Sequence, residues 1–248
     1  MRRLFQPFLT FVRWSICHFE FGVIFTKKYK NALLCRRISK ARSRLQKEGW
    51  RILELVEEIC GAQNVEHYCE YGTLLGMVRE GGFITHDDDV DFGMPPDVAF
   101  SRKMFDAMRA KGFKFKRAFV WSGIMTEIAF DFKGVPVDFF FTFEAGGKIY
   151  GQTYNNFVQE DGGYWAKQVC RFFKPAYKGV KKISLNGVSV SIPQNAEDYL
   201  LANYGSNWRT PIEGFKADGA EMKRQYFDGR AEIVTDPKAV MPLLPDSP

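Results

Sequence analysis

The sequence predicts an α+β fold: a mixed sheet flanked by helices, with an N-terminal helical appendage. Three observations lead there. Apolar residues recur at helical spacing through LQKEGWRILELVEEIC, residues 45–60. Residues 113–143 carry three strand-like runs, FKFKRAFVW, MTEIAFDF and VPVDFFFTF, broken at Gly123 and at Lys133-Gly134. These runs follow one another without intervening helices, which argues against a regular βαβ repeat.

Taken in order, residues 1–43 are aromatic and basic, and Arg13, His18 and Glu20 interrupt their apolar run. The run falls well short of the ~18–20 apolar residues that span a bilayer. The expectation is an interfacial or docking helix, with residues 1–40 resting peripherally on the cytoplasmic face of a membrane. A signal anchor leading to the secretory lumen is the alternative. A helix follows over 44–60, with Gly61 as its stop. Val65–Tyr71 reads as a short buried strand. Gly72-Thr73 opens a short helix that Gly81-Gly82 ends, and Val90–Met94 is the next strand. Pro95-Pro96-Asp97 is expected to start a helix running to about Ala110. After the three β runs, Asn186-Gly187 within KISLNGVSVSI marks a hairpin. AEDYLLANYG is a final short helix closing on Gly205. The chain after Met222, rich in proline and charge, is expected to be loosely ordered. This gives a terminal segment (1–43), a catalytic domain (44–222) and a tail (223–248).

Composition narrows the chemistry. Five cysteines without a CxxC pair, and only three histidines, leave little for a structural zinc site or a disulfide framework. The net charge of +6 coexists with a strongly acidic DDDVD run, so the basic excess lies elsewhere and suits an anionic partner.

That acidic run sits in HYCEYGTLLGMVREGGFITHDDDVDFGM, residues 67–94. In a strand, residues two apart share a face, so Asp87, Asp89 and Asp91 point one way and Asp88 the other. Val90 and Phe92 can enter a core while Asp89 and Asp91 project together. Two carboxylates this close are stable as anions only around a cation, and oxygen ligands suit Mg²⁺ or Mn²⁺. Asp138, alone in the apolar run VPVDFFF, is the third candidate, with Asp131 its competitor. Gly72, Thr73 and Arg79 form a candidate nucleotide and phosphate site: a glycine for close approach, a helix start and a guanidinium.

Gly-Thr, then an Asp-x-Asp strand, then an Asp in an apolar strand, is the order found in a known group. EYGTLLGMVREGGFITHDDDVDFGM, VPVDFFF and SIPQNAEDYLLANYGSNWRTP together resemble the LicD/fukutin family of the nucleotidyltransferase superfold, over roughly residues 44–215. Glu70 stands where the family has Asp, and Thr85-His86 where it has Pro-Trp. The resemblance implies a nucleotidyltransferase-like sheet. It also implies metal-dependent transfer of a phosphorylated alcohol, phosphocholine or ribitol phosphate, from a CDP-activated donor. The acceptor would be a hydroxyl of a cell-surface glycan or glycolipid, such as lipopolysaccharide or capsule, with CMP leaving. Asp89, Asp91 and Asp138 would be the catalytic and metal-binding residues, Asp138 as ligand, base or both.

Rival readings fit less well. A sugar-nucleotide glycosyltransferase with an Asp-x-Asp site would place an α/β half before that motif, and only one clear strand precedes Asp89. A calcium loop from Asp87 would need Gly and Glu where Phe92 and Val98 stand. No separate motif supports nucleic-acid binding.

Overall fold

The computed structural model describes residues 39–85, 87–146, 148–212 and 224–247. The peripheral membrane expectation concerns residues 1–40, nearly all of which lie outside the described residues. Among the described residues, no helix is long and apolar enough to cross a membrane. The compact unit that carries the candidate site spans Arg42–Pro248.

Helix α1 covers residues 39–62, of which 42–62 belong to this unit. Its periodic residues Leu45, Ile52, Leu53, Leu55, Val56 and Ile59 are all buried in the main core, as the spacing requires. Burial of each such side chain is worth about 1.5–3 kcal/mol. Strand β1 is only Tyr68–Cys69. The longer strand expected over Val65–Tyr71 does not form because Glu70 leaves the ladder to cap the next helix. Its side chain accepts a hydrogen bond from the Tyr71 amide at 3.4 Å, and Tyr71 turns to a φ of 44°. Helix α2 (Tyr71–Leu75) runs into a π-helical turn, Gly76–Glu80, that stops at Gly81.

Strand β2 (Val90–Met94) lies where the sequence places it. Helix α3 (Arg102–Ala110) starts later than Pro95-Pro96-Asp97 suggests. Asp97 adopts a φ of 67°, which breaks any helix begun there, and Ser101 becomes the cap, its hydroxyl accepting from the Met104 amide at 3.2 Å. Strands β3 (Lys114–Trp121), β4 (Ile124–Phe132), β5 (Val135–Phe141) and β6 (Phe143–Ala145) follow. Next come the long strands β7 (Lys148–Glu160) and β8 (Gly163–Lys174), then the hairpin β9 (Val180–Leu185) and β10 (Val188–Pro193), and helix α4 (Ala196–Tyr204). The loosely ordered end expected after Met222 is corrected. Strand β11 (Arg224–Val234) inserts between β3 and β8, and its backbone pairs on both sides. Helix α5 (Pro237–Val240) follows, capped by Asp236.

Among the described residues, the main sheet has nine strands in the order β1-β2-β5-β4-β3-β11-β8-β7-β6. Only β2 and β5 run parallel; the other neighbours are antiparallel. Phe92 of β2 and Phe139 of β5 stack at 5.1 Å on the core side of this parallel pair. Cys60, Cys69 and Cys170 are free and buried.

Glu57 ties α1 to the hairpin. Its carboxylate accepts from the Ser191 amide at 2.6 Å and pairs with Lys182 at 3.0 Å and His67 at 3.4 Å. Burial alone would raise its pKa. The His67, Ser191 and Lys182 contacts outweigh that and hold it at about 2, below the ordinary 4.5. A depressed folded pKa gives stability that is present above 4.5 and lost as pH falls toward 2. Urea midpoints measured across that window should therefore fall steeply for the wild type and less steeply for Glu57→Gln. Identical slopes would show that Glu57 is not the linked group.

Candidate metal centre and adjoining cleft

The parallel pairing of β2 with β5 sets Asp91 directly opposite Asp138. Asp89 stands one residue ahead of β2, beside them. One carboxylate oxygen from each of Asp89, Asp91 and Asp138 lies within 4.8 Å of the others. The strand alternation explains the arrangement. Val90, Phe92, Val137 and Phe139 point into the core, and the carboxylates between them emerge together on the opposite face. Asp131, the competing candidate, lies elsewhere: its Oδ1 accepts from the Gly134 amide at 3.0 Å and closes the β4–β5 turn.

Asp88 is placed otherwise than expected. β2 begins only at Val90, so strand alternation does not extend back through Asp87–Asp89. Asp87, Asp88 and Asp89 form a second trio whose oxygens also lie within 4.8 Å of one another.

The electrostatics of this region are those of crowded, mostly buried anions. Burial, and then the charges of Asp89 and Asp138, push Asp91 well above the usual carboxylate range. Burial, and then Asp89, raise Asp87 to about 8. Burial lifts Asp138 to about 6 even though Arg117 pulls it down. Among the described residues, the ion pair that reaches the Asp89–Asp91–Asp138 trio comes from Arg117, whose Nη2 lies 3.4 Å from Asp138. An all-oxygen set of crowded, mostly buried carboxylates fits a hard divalent cation, which would favour their charged forms.

The helix ahead of the acidic strand is locked to it. The Glu70 amide donates to the Asp91 carbonyl at 2.9 Å, and the Asp91 amide donates to the Thr73 hydroxyl at 3.0 Å. Thr73 is buried, so part of its role is to hold α2 against β2. Gly72 faces Asp87, and a Cβ there would come within 2.5 Å of the Asp87 carboxylate. Gly93 plays the matching part on β2, where a Cβ would strike the Tyr68 ring at 2.2 Å. Glu70 is fully buried, ion-paired with Lys174 of β8 and hydrogen-bonded by Asn203 at 3.3 Å.

Beside the acidic region opens a cleft of about 960 Å³. Asp87 belongs to its wall, together with Arg42, Arg79, Phe83, Tyr204 and Trp208. Arg79 donates to Glu80 at 2.8 Å and to the Trp208 carbonyl at 3.1 Å. Among the described residues, the buried Nε of Arg42 has no hydrogen-bond partner. Asp89, Asp91 and Asp138, named from the sequence, come together, and Arg79 lines the adjoining cleft; Arg42, Arg117, Glu127 and Lys174 were not singled out. Glu127 was findable, because it interrupts the apolar run MTEIAF as Asp138 interrupts VPVDFFF. Lys174 was not, since its partner lies 104 residues away.

Residues 64–195 match the LicD/FKTN/FKRP nucleotidyltransferase domain, more than half of the chain. The chain belongs to this family. It is 26% identical over 174 residues to the ribitol-5-phosphate transferase FKTN of Mus musculus, covering 68% of this chain and 34% of that protein. It is 31% identical over 68 residues to an uncharacterised protein of Rickettsia typhi, covering 27% of this chain and 22% of that one. The chain therefore spans at most about a third of the length of these curated relatives. The matched LicD segment runs from the turn before β1 through β10, and so includes both acidic trios and Arg117.

Proposed function

We propose that this LicD-family protein is a metal-dependent phosphotransferase. It moves a phosphorylated alcohol, such as ribitol phosphate or phosphocholine, from a CDP-activated donor to a hydroxyl of a glycan. One observation carries this reading: the Asp89–Asp91–Asp138 trio and the cationic cleft adjoin, with Asp87 belonging to both the cleft wall and the second acidic trio. The ribitol-5-phosphate transferase activity named for the mouse relative agrees with it.

Asp89, Asp91 and Asp138 would hold Mg²⁺ or Mn²⁺. The bound ion would neutralise the donor pyrophosphate and make its bridging oxygen a better leaving group. Arg42 and Arg79 supply cations in the cleft, where a guanidinium suits phosphate oxygens. Gly72 leaves the backbone open beside Asp87, and Thr73 holds α2 in register at the same place. The acceptor hydroxyl forms a bond to the phosphorus that carries the alcohol. The bond from that phosphorus to the bridging oxygen breaks, and CMP leaves with the oxygen. Asp138 would hold the cation and, as an ionised carboxylate, take the hydroxyl proton.

A panel of CDP-alcohols and nucleotide sugars, offered with Mg²⁺ and a glycan acceptor, tests this reading. Mass spectrometry should show CMP release, with the acceptor gaining a phosphoryl-alcohol. Turnover of a nucleotide sugar instead, with release of a nucleoside diphosphate, would show a glycosyltransferase.

A further inference from the structure

The carboxylates are the start of a row that crosses four strands. Asp91 of β2 faces Asp138 of β5, Asp138 faces Ala129 of β4, and Ala129 faces Arg117 of β3. Residues directly opposite in a sheet share a face, so all four side chains emerge on the carboxylate side. Ala129 is the smallest member, and its methyl leaves room for Arg117 to reach over β4 toward Asp138. A register shift in β3 between Phe115 and Arg117 accompanies this reach. Glu127 lies two residues before Ala129 on β4 and therefore on the same face.

One guanidinium nitrogen serves both acids. Arg117 Nη2 lies 2.9 Å from Glu127 Oε1 and 3.4 Å from Asp138 Oδ1. Glu127 is 5% exposed and belongs to neither acidic trio. A carboxylate buried this deeply costs energy unless it is paired, and Arg117 is the partner that pairs it. The shorter of the two contacts is to Glu127. Without it, the guanidinium would be left to Asp138 alone and would neutralise a carboxylate that the cation needs.

We propose that Glu127 and Arg117 are positioning residues that set the cation affinity of the Asp89–Asp91–Asp138 site, Glu127 by holding Arg117 back from Asp138. This rests on the metal-dependent reading of that site. It makes an unusual demand: the two partners of one ion pair act in opposite directions. Glu127→Gln removes a negative charge and releases Arg117 onto Asp138, so cation binding weakens. Arg117→Gln removes the competing positive charge, so cation binding tightens, while Asp138 loses its fixed orientation. Damage to the fold would weaken binding in both variants.

The test is Mn²⁺ binding by the full-length chain without nucleotide, followed by loss of the electron paramagnetic resonance signal of aqueous Mn²⁺. The effect of an outer-shell partner on metal affinity is on the order of tenfold. Glu127→Gln should bind Mn²⁺ about tenfold more weakly than wild type and Arg117→Gln several-fold more tightly. Arg117→Lys, which keeps the charge, should stay close to wild type. Weakening in both Gln variants, or no change in either while the wild type binds, overturns the clamp and leaves the metal site standing. A wild-type chain that takes up no Mn²⁺ overturns the metal reading itself, and the clamp with it.

Discussion

Asp91→Asn is expected to remove transfer activity and, at neutral pH, to raise the melting temperature of the metal-free protein. The loss of activity should exceed about 100-fold, the upper end of what removing an outer-shell partner of a metal ligand costs. The gain in stability follows from linkage. Burial and the neighbouring carboxylates raise the Asp91 pKa in the folded state far above 3.8. A raised folded pKa for an acid means that stability falls as pH climbs from the unfolded value toward the folded one. The neutral Asn amide escapes that cost, and the Asp91 backbone bonds to Glu70 and Thr73 remain. Melting curves with and without Mg²⁺, beside CMP release, read both effects. A variant that is inactive and also less stable without metal would show Asp91 to be a structural residue.

The second large effect concerns the ion pair behind the site. Lys174→Met should destabilise the fold by about 3–5 kcal/mol, because it leaves the Glu70 carboxylate charged and buried without its partner. The pair joins elements far apart in sequence: Glu70 caps α2, Lys174 ends β8, and Asn203 of α4 donates to the same carboxylate. Lys174 also lies 5.1 Å from the centre of the Tyr71 ring. Adding Glu70→Gln to Lys174→Met removes the orphaned charge and should recover most of the loss, since the cost lies in the unpaired ion rather than in the missing bond. Losses that simply add in the double variant, measured by urea denaturation, would contradict this.

Much of the site was legible because short-range rules decide it. The period of two in DVDF and VPVDF fixed which residues face the core, and the structure then set Asp91 against Asp138 through a parallel pairing that periodicity alone does not specify. The same rule failed at Asp88, because alternation holds only inside a strand and β2 begins at Val90. Helix α3 was mis-started because Pro-Pro-Asp resembles a helix opening, whereas Asp97 takes a left-handed turn and Ser101 does the capping. The β7–β8 hairpin went unread although Asp161-Gly162 is the same kind of turn signal as Asn186-Gly187. The mixed polarity of its strands hides their alternation. Strand β11 was hidden in a charged segment that looks like a tail, and its place between β3 and β8 is a long-range choice. The Arg117–Glu127–Asp138 contacts were illegible for the same reason, since they depend on the registers of three strands at once.

Asp89, Asp91 and Asp138 would together hold a divalent cation beside the cleft. Crystals of the full chain grown with Mn²⁺ and CDP, measured at a wavelength where manganese scatters anomalously, test it most directly. An anomalous peak should touch oxygens of all three carboxylates, with the CDP phosphates in the cleft lined by Arg42 and Arg79. A peak held only by Asp87 and Asp88, or CDP bound with no manganese at Asp91 and Asp138, would contradict it.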